Sequence, residues 1–211
     1  MVKLAVFDMD GVLVDIESSW VYVHRHFEVN NEHSLKSYLR GEIDDLEFIR
    51  RDVELWLDKD PSLTLDRIRL ILSTAPFMKG ARETIASLRD NGVRTAIVSA
   101  GIDLLAERVA IDLKMDMFYA NGFAADCSGR LTGDGILNVR LDQKGEKVRA
   151  IADIFDLDSE DIASVGNSRY DVPMFEVSGL GIAFCPVDEE TSSSADEVVH
   201  EKDLTRVLEF F

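Results

Sequence analysis

Residues 3–15 have the sequence Lys3-Leu4-Ala5-Val6-Phe7-Asp8-Met9-Asp10-Gly11-Val12-Leu13-Val14-Asp15. The apolar run from Leu4 to Phe7 has the length and composition of a buried parallel strand. Asp8 and Asp10 follow it, and side chains two residues apart in an extended segment project to the same side. Two carboxylates so placed repel each other unless a cation lies between them or one is protonated. The stretch suggests a divalent metal beside a nucleophile and an acid–base group, although an ordinary acidic turn has the same composition.

The composition is typical of one globular α/β domain with room for a small second module. The 211 residues are 46% hydrophobic and 30% charged. No apolar run approaches the 18 or so residues of a membrane span, and no signal-peptide pattern is present. Only Cys127 and Cys185 are cysteines, which favours a reducing compartment. We therefore expect a cytoplasmic protein with no membrane partner.

The chain is strongly acidic, with 23 Lys and Arg against 40 Asp and Glu and a net charge of −17. Such a surface repels phosphate backbones, so we expect no nucleic-acid partner. It also repels a small phosphorylated substrate, and a phosphate site in this chain therefore needs cations close to it.

Residues 16–75 carry apolar residues at the three- and four-residue spacing of helices. We predict a helical cap here, inserted after the first strand, so that residues 1–15 and 76–211 form the core. Trp20, Phe48 and Trp56 are expected to form the interior of the cap. The predicted cap helices are Ile16–Phe27, Ser34–Leu39, Asp44–Leu57 and Leu65–Ser73.

An alternation of strands and helices returns after residue 76 and predicts a Rossmann-like, doubly wound parallel sheet. Residues 123–138 are rich in Gly, Asp and Ser and are expected to form a hairpin. The predicted strands are Arg94–Val98, Met117–Asn121, Ile162–Val165, Gly181–Phe184 and Glu197–Val199. The predicted helices are Gly80–Asn91, Asp103–Leu113, Gln143–Phe155 and Leu204–Phe210.

Polar residues follow several of these strands, at the sheet edge where ligands bind in such folds. Ser99-Ala100-Gly101 lies between a strand and a helix N-terminus, an arrangement that suits phosphate. Lys144 opens a helix, where a positive charge opposes the helix dipole and needs an anionic partner. Asn167 and Asp171 follow the strand predicted at 162–165. Acid, hydroxyl and amine are thus expected at one edge of one sheet.

Four segments together resemble the motifs of the haloacid dehalogenase-like (HAD) phosphohydrolases, and among these the phosphoserine phosphatase branch. They are 8–14, 98–101, 144–146 and 165–171. The resemblance implies that Asp8 is the nucleophile and Asp10 the acid–base. It also implies a Mg²⁺ cofactor held by Asp8, the Asp10 carbonyl and the fourth motif through Asn167 and Asp171. Phosphate contacts are implied for Gly11, Ser99, Ala100 and Lys144.

Two departures from the family pattern concern the metal and the substrate. Asn167 stands where the family usually has an acid, so metal affinity should fall. Glu17 occupies the position of the cap residue that reads the substrate amine, while the matching cap arginine is sought at Arg50 or Arg51. The resulting hypothesis is a Mg²⁺-dependent phosphomonoester hydrolase for a small metabolite such as L-phosphoserine. A phosphatase for sugar or nucleoside phosphates and a non-catalytic binding protein of the same fold are the alternatives.

Overall fold

A computed structural model describes residues 1–211 and contains one seven-stranded sheet of order β4-β3-β2-β1-β5-β6-β7. All neighbouring strands are parallel except β3 and β4, which form an antiparallel hairpin. The strands are β1 (Leu4–Phe7), β2 (Arg94–Ile102), β3 (Met117–Ala125), β4 (Leu131–Ile136), β5 (Ile162–Gly166), β6 (Leu180–Phe184) and β7 (Glu197–Val199).

The first strand lies in the middle of the sheet. Leu4 pairs with Arg94 of β2 on one side and with Ile162 of β5 on the other. The chain winds outward from β1 through β2 and β3, then returns to the opposite side of β1 through β5. This is the predicted doubly wound arrangement, and its switch point places the carboxyl end of β1 at the ligand-binding crevice.

The structure contains nine α-helices, and the first four lie between β1 and β2 in the segment for which we predicted a cap. Three of these four begin at a side-chain cap, because Ser18, Asp44 and Thr64 each accept a backbone N–H of the first turn. None of the nine helices has both the length and the apolar composition needed to cross a bilayer. The helices are α1 (Ser19–His26), α2 (Glu32–Leu39), α3 (Asp45–Lys59), α4 (Leu65–Leu72), α5 (Ala81–Asp90), α6 (Asp103–Leu113), α7 (Lys144–Phe155), α8 (Val172–Phe175) and α9 (Glu189–Ser194).

The alternation of side chains along β1 divides the interior into two apolar clusters. Ala5 and Phe7 belong to the larger cluster, which includes residues of the cap, α5 and α6. Leu4 and Val6 belong to the smaller cluster, which includes Val148 and Ile151 of α7. Asp8 continues the alternation of Leu4 and Val6 and therefore points toward α7.

Several boundaries differ from those predicted. β2 continues through Ser99-Ala100-Gly101 to Ile102, so these residues lie in the strand rather than in a loop. β3 extends to Ala125 because it pairs with β4 beyond its parallel part. The segment Leu204–Phe210 forms a 3₁₀-helix rather than an α-helix.

The segment after Asp8 is a compact turn rather than an extended continuation of β1. The carbonyl of Met9 accepts the N–H groups of residues 12, 13 and 14, and Gly11 has a φ of +77°. A left-handed residue at position 11 reverses the chain direction. Asp10 is therefore positioned by this turn and not by strand alternation.

Candidate active site

A cavity of about 910 Å³ lies at the carboxyl ends of β1, β2 and β5, beneath the cap helices. Most of the residues singled out in the sequence line it, although they come from distant segments. Arg50, Arg51 and Asp171 do not line it. The predicted residues on its wall are Asp8, Asp10, Gly11, Glu17, Ser99, Ala100, Lys144 and Asn167.

A buried lysine between two carboxylates forms the floor of this cavity. Lys144 Nζ lies 2.9 Å from Asp8 Oδ1 and 2.7 Å from Asp171 Oδ1. All three side chains are less than a tenth exposed. A lysine in the first turn of a helix requires an anionic partner, and Lys144 has two, Asp8 and Asp171. Because neither carboxylate can be removed without leaving a buried charge unpaired, the three groups form one unit.

Burial dominates the ionisation of Asp8. It raises the pKa of Asp8 to about 7, with Asp171 and Asp10 adding to the shift and Lys144 opposing it. Burial also opposes the charge of Lys144, but Asp171 and Asp8 outweigh it and raise the pKa of the ammonium above its ordinary value. Lys144 is therefore a permanent cation, whereas Asp8 needs further positive charge nearby to be fully ionised at neutral pH.

Asp171 positions other groups of the site. Its Oδ1 accepts from Lys144, while its Oδ2 accepts from the backbone N–H groups of Asn167 and Ser168 and from the Ser168 hydroxyl. Asp171 is completely buried and does not reach the cavity. This geometry does not support the expected metal-ligand role. Asp171 instead orients Lys144 and the turn that carries Asn167.

Asp10 is held by a serine that sequence reasoning missed. Asp10 Oδ2 accepts from the backbone N–H of Ser19 at 2.7 Å and from its hydroxyl at 2.8 Å. Burial raises the pKa of Asp10, and the two Ser19 donors oppose the shift. Asp10 Oδ1 is buried without a partner. One carboxylate oxygen is therefore anchored and the other is free to exchange a proton with a ligand.

Hydrogen bonds within the Ser99–Gly101 segment and from Trp20 and Asn121 fix its position. The Ser99 hydroxyl oxygen accepts the N–H of Gly101 at 3.1 Å, which leaves its hydrogen free to donate. The carbonyl of Ala100 accepts from the Trp20 indole at 3.0 Å and from the Asn121 amide at 3.3 Å. A Cβ at Gly101 would meet Ser19 Oγ at 2.6 Å and Asp10 Oδ2 at 2.8 Å. Only glycine at this position allows the segment to approach Asp10 so closely.

The donor set fits a hard divalent cation such as Mg²⁺. Buried Asp8 and Asp171 and partly buried Asp10 against buried Lys144 give formal charges of −3 and +1, an imbalance that a dication removes. The Asn167 amide lies against the Asp10–Gly11 turn, since a Cβ at Gly11 would meet its nitrogen at 2.1 Å. No group of three or more His, Cys, Asp and Glu side chains forms a metal cage. One or two carboxylates with carbonyl, water and phosphate oxygens are the usual Mg²⁺ ligands.

The predicted substrate-reading residues of the cap have other partners. Arg51 Nε is 2.9 Å from Glu47 on the same helix, and Arg50 lies near Glu47 and Asp134. Both arginines are absent from the cavity wall. Glu17 lines the cavity, but its carboxylate is 2.5 Å from Arg25. The structure thus brings Glu17 to the site and leaves the two arginines outside it.

Three residues of the site were not found from the sequence. Ser19 and Trp20 open α1, where a serine is more often a helix cap and a tryptophan more often part of a core. Asn121 lies within β3 and donates to the carbonyls of Ala100 and Val139. Asparagine is uncommon within a strand, and this was the one feature of the sequence that could have identified Asn121 as a residue of the site. Trp20 and Phe48 also line the cavity, and Trp20 at the same time stacks on the fully buried Trp56, as expected for the cap interior, with ring centroids 5.6 Å apart.

Taken together, the arrangement suits the transfer of an electrophilic, anionic group. Asp8 is a carboxylate positioned for attack, and Asp10 has a free oxygen for proton exchange. Lys144 and the Ser99 hydroxyl supply donors for negative charge on the transferred group.

Comparison with known proteins agrees with this chemistry. The family profile of haloacid dehalogenase-like hydrolases matches residues 5–176. The phosphoserine phosphatase of Methanocaldococcus jannaschii is 30% identical over 99% of this chain and 97% of its own length. That of Campylobacter jejuni is 28% identical over 99% of both chains.

Two solved structures with 28% and 29% identity superpose with TM-scores of 0.84 over 100% of this chain and 99% of theirs. One is a substrate-bound phosphoserine phosphatase, and the other is a phospho-aspartyl intermediate analogue of phosphoserine phosphatase. The chain therefore belongs to the haloacid dehalogenase-like hydrolases, and within that family it is a phosphatase of the phosphoserine phosphatase-like branch.

Proposed function

We propose that the protein is a Mg²⁺-dependent phosphomonoester hydrolase that acts on a small phosphorylated metabolite through an aspartyl-phosphate on Asp8. The observation that carries this proposal is the pairing of Asp8 with buried Lys144 beside Asp10, whose Oδ1 has no partner. A site that only bound phosphate would gain nothing from a second buried carboxylate with a free oxygen.

In the first step a carboxylate oxygen of Asp8 attacks phosphorus. An Asp8 O–P bond forms while the P–O bond to the alcohol breaks, and its electron pair stays on the alcohol oxygen. Protonated Asp10 donates its proton to that oxygen from Oδ1. The raised pKa of Asp10 favours the protonated form that this step needs.

In the second step Asp10, now a carboxylate, removes a proton from water. The hydroxide attacks phosphorus, the Asp8 O–P bond breaks, and inorganic phosphate and the Asp8 carboxylate are released. Lys144 and Ser99 hold the phosphoryl oxygens in both steps, and Ser19 keeps Asp10 in place. Mg²⁺, held by Asp8, the Asp10 carbonyl and Asn167, would neutralise charge on the carboxylates and the phosphoryl group.

The relatives make L-phosphoserine the first substrate to test. Phosphate release should be measured on L-phosphoserine, a sugar phosphate and a nucleoside monophosphate, with Mg²⁺ and with EDTA. Asp8→Asn is the inactive variant, and Asp90→Asn, which changes an exposed acid of α5, is its matched control. Turnover should require both Mg²⁺ and Asp8, and it should persist in Asp90→Asn. Equal turnover in Asp8→Asn would contradict the proposal.

One observation favours a second candidate, a non-catalytic binding protein. Asn167 brings an uncharged amide to the place where the metal needs charge. This candidate requires that no substrate of the panel is turned over, even at high Mg²⁺. Restoration of turnover by Asn167→Asp would then show that weak metal binding alone accounts for the inactivity of the parent protein.

A further inference from the structure

We propose that the substrate of this enzyme is a phosphate monoester whose alcohol portion is uncharged and largely apolar, rather than a phosphorylated amino acid. The inference rests on the hydrolase function proposed above and adds to it the class of the leaving group. It derives from the charges and apolar side chains on the cavity wall.

No unpaired cation is present for a carboxylate of the substrate. The cavity wall contains six acidic side chains, no arginine or histidine, and two lysines. Lys144 is shared between Asp8 and Asp171, and Lys202 is 2.5 Å from Asp15. A substrate that carried a carboxylate besides its phosphate would place that charge among acids, without compensation.

The acids of the cap side are themselves occupied, so they do not form an obvious receptor for an amine. Asp45 accepts from the Tyr38 hydroxyl and from the backbone N–H of Leu141, each at 3.1 Å. Asp52 is buried and accepts from the Asn31 amide at 2.9 Å. The carboxylate of Glu17, in turn, is paired with Arg25. The carboxylate of an amino acid therefore has no free partner in this cavity, and the three acids that could receive its amine already have partners within the protein.

The cap side of the cavity presents a wall of apolar side chains, two of which are largely exposed. Leu35 and Leu39 lie one turn apart on α2, line the cavity and are 40% and 53% exposed. Phe48 and Leu141, which are partly buried, and the buried Ile49 complete this wall. Leaving such surface in water is unfavourable, and an apolar leaving group would cover it. The volume of about 910 Å³ is within the range of pockets for ligands much larger than serine.

The test compares kcat/KM for four monoesters that differ in one feature at a time. The first compound is O-phospho-L-serine, and phosphoethanolamine is the same molecule without the carboxylate. Ethyl phosphate lacks the amine as well. Hexyl phosphate has four more methylene groups than ethyl phosphate. Ethyl phosphate should be hydrolysed faster than O-phospho-L-serine, and hexyl phosphate at least tenfold faster than ethyl phosphate, because burial of about two methylenes suffices for a factor of ten. A higher kcat/KM for O-phospho-L-serine than for ethyl phosphate would overturn the proposal, as would equal values for ethyl and hexyl phosphate.

A matched pair of variants tests the wall directly. Leu39→Arg places a cation on the cavity wall, and Leu70→Arg makes the same change at an exposed leucine of α4 that does not line the cavity. Leu39→Arg should raise the ratio of kcat/KM for O-phospho-L-serine to that for hexyl phosphate by about tenfold or more, while Leu70→Arg leaves it unchanged. An equal change of this kcat/KM ratio in both variants would overturn the proposal that the wall around Leu39 contacts the leaving group.

The outcome can be separated from that of the hydrolase proposal. If no monoester is turned over, the hydrolase proposal fails, and the wall is tested by calorimetric titration of the same four compounds into Asp8→Asn. Tighter binding of hexyl phosphate than of O-phospho-L-serine would support the apolar class. Tighter binding of O-phospho-L-serine would overturn it.

Discussion

Ser19 is the residue on which the acid–base role proposed for Asp10 most depends. Its hydroxyl donates to Asp10 and accepts the N–H of Ile102, so one oxygen joins the β1 turn, α1 and the end of β2. Removing a donor to the carboxylate form raises the pKa of an acid further. We therefore predict that Ser19→Ala moves the alkaline limb of the kcat–pH profile upward and lowers kcat by about tenfold.

The measurement is the pH dependence of phosphate release under substrate saturation. Ser34→Ala is the control, since it removes a buried hydroxyl of the cap that donates to the carbonyl of Asn31 and not to Asp10. An unchanged profile in Ser19→Ala would show that the Ser19 hydroxyl does not act on Asp10.

Asn167 is the proposed metal ligand at which affinity for Mg²⁺ should be open to improvement. It lines the cavity beside the Asp10–Gly11 turn, and its backbone is held by Asp171. A carboxylate at position 167 adds a charge to the ligand set without changing its shape. We predict that Asn167→Asp lowers the Mg²⁺ concentration for half-maximal activity by about tenfold, as ligand charge governs affinity for hard cations.

The measurement is a Mg²⁺ titration of phosphate release, with Asn91→Asp as the matched control. Asn91 is exposed at the end of α5 and does not line the cavity, so its variant adds the same charge elsewhere. An equal shift in both variants would mean that the general charge of the protein, and not the ligand at 167, controls the metal.

At the scale of an element, the start of α6 contains an acid whose ionisation opposes folding. Burial raises the pKa of Asp103 to about 6, while the N–H of Leu104 and Arg69 oppose the shift. The folded state therefore binds this proton more tightly than the unfolded chain, whose Asp pKa is about 3.9. The stabilisation is complete below about pH 4 and is lost as the pH rises through 6.

Asp103→Asn should consequently match the parent protein in free energy of unfolding near pH 4 and exceed it by about 1 kcal/mol at pH 7. This magnitude is discounted because the carboxylate is partly exposed. Denaturant unfolding at the two pH values tests it. The control is Asp66→Asn, at an exposed acid in the first turn of α4. A lower stability of Asp103→Asn at pH 7 would contradict the prediction.

Elements with strong local signals were predictable from the sequence. The strands β1, β5, β6 and β7 are short apolar runs bounded by polar residues, and each lies within a residue of its predicted position. Lys144 could be singled out because its place at a helix start has an electrostatic cost. The turn after Asp8 was not predictable, because its shape depends on the left-handed conformation of Gly11 and on three hydrogen bonds to one carbonyl.

Contacts between distant segments could not be found in the same way. Ser19 meets Asp10 and Ile102 only after the cap has folded over β2, and Trp20 reaches Ala100 across 80 positions. The sequence predicts that Asp171 is a metal ligand, yet its carboxylate accepts hydrogen bonds from Lys144 and from two backbone N–H groups. Such roles follow from tertiary geometry, which residue type and spacing do not contain.

At the scale of the whole molecule, the net charge of −17 places like charges close together over a small surface. Mutual repulsion of this kind destabilises the compact state, and salt screens it, with a Debye length of about 3 Å at 1 M. We predict that the thermal midpoint rises by about 3 °C or more between 0.05 M and 1 M KCl.

Differential scanning calorimetry gives the midpoints, and sucrose at the same osmolality separates screening from general solute effects. A midpoint that is constant or falls with KCl would show that the acidic surface does not limit stability.

The central position of β1 has a consequence for how the enzyme is made. Leu4 is synthesised 158 residues before its partner Ile162. At about 5–20 residues per second, the first strand waits roughly 8–30 s for this neighbour. Asp171, which holds Lys144 beside Asp8, follows β5, so nascent chains that end before β5 lack part of the proposed active site. If the proposed mechanism holds, phosphatase activity therefore begins only after β5 has joined the sheet.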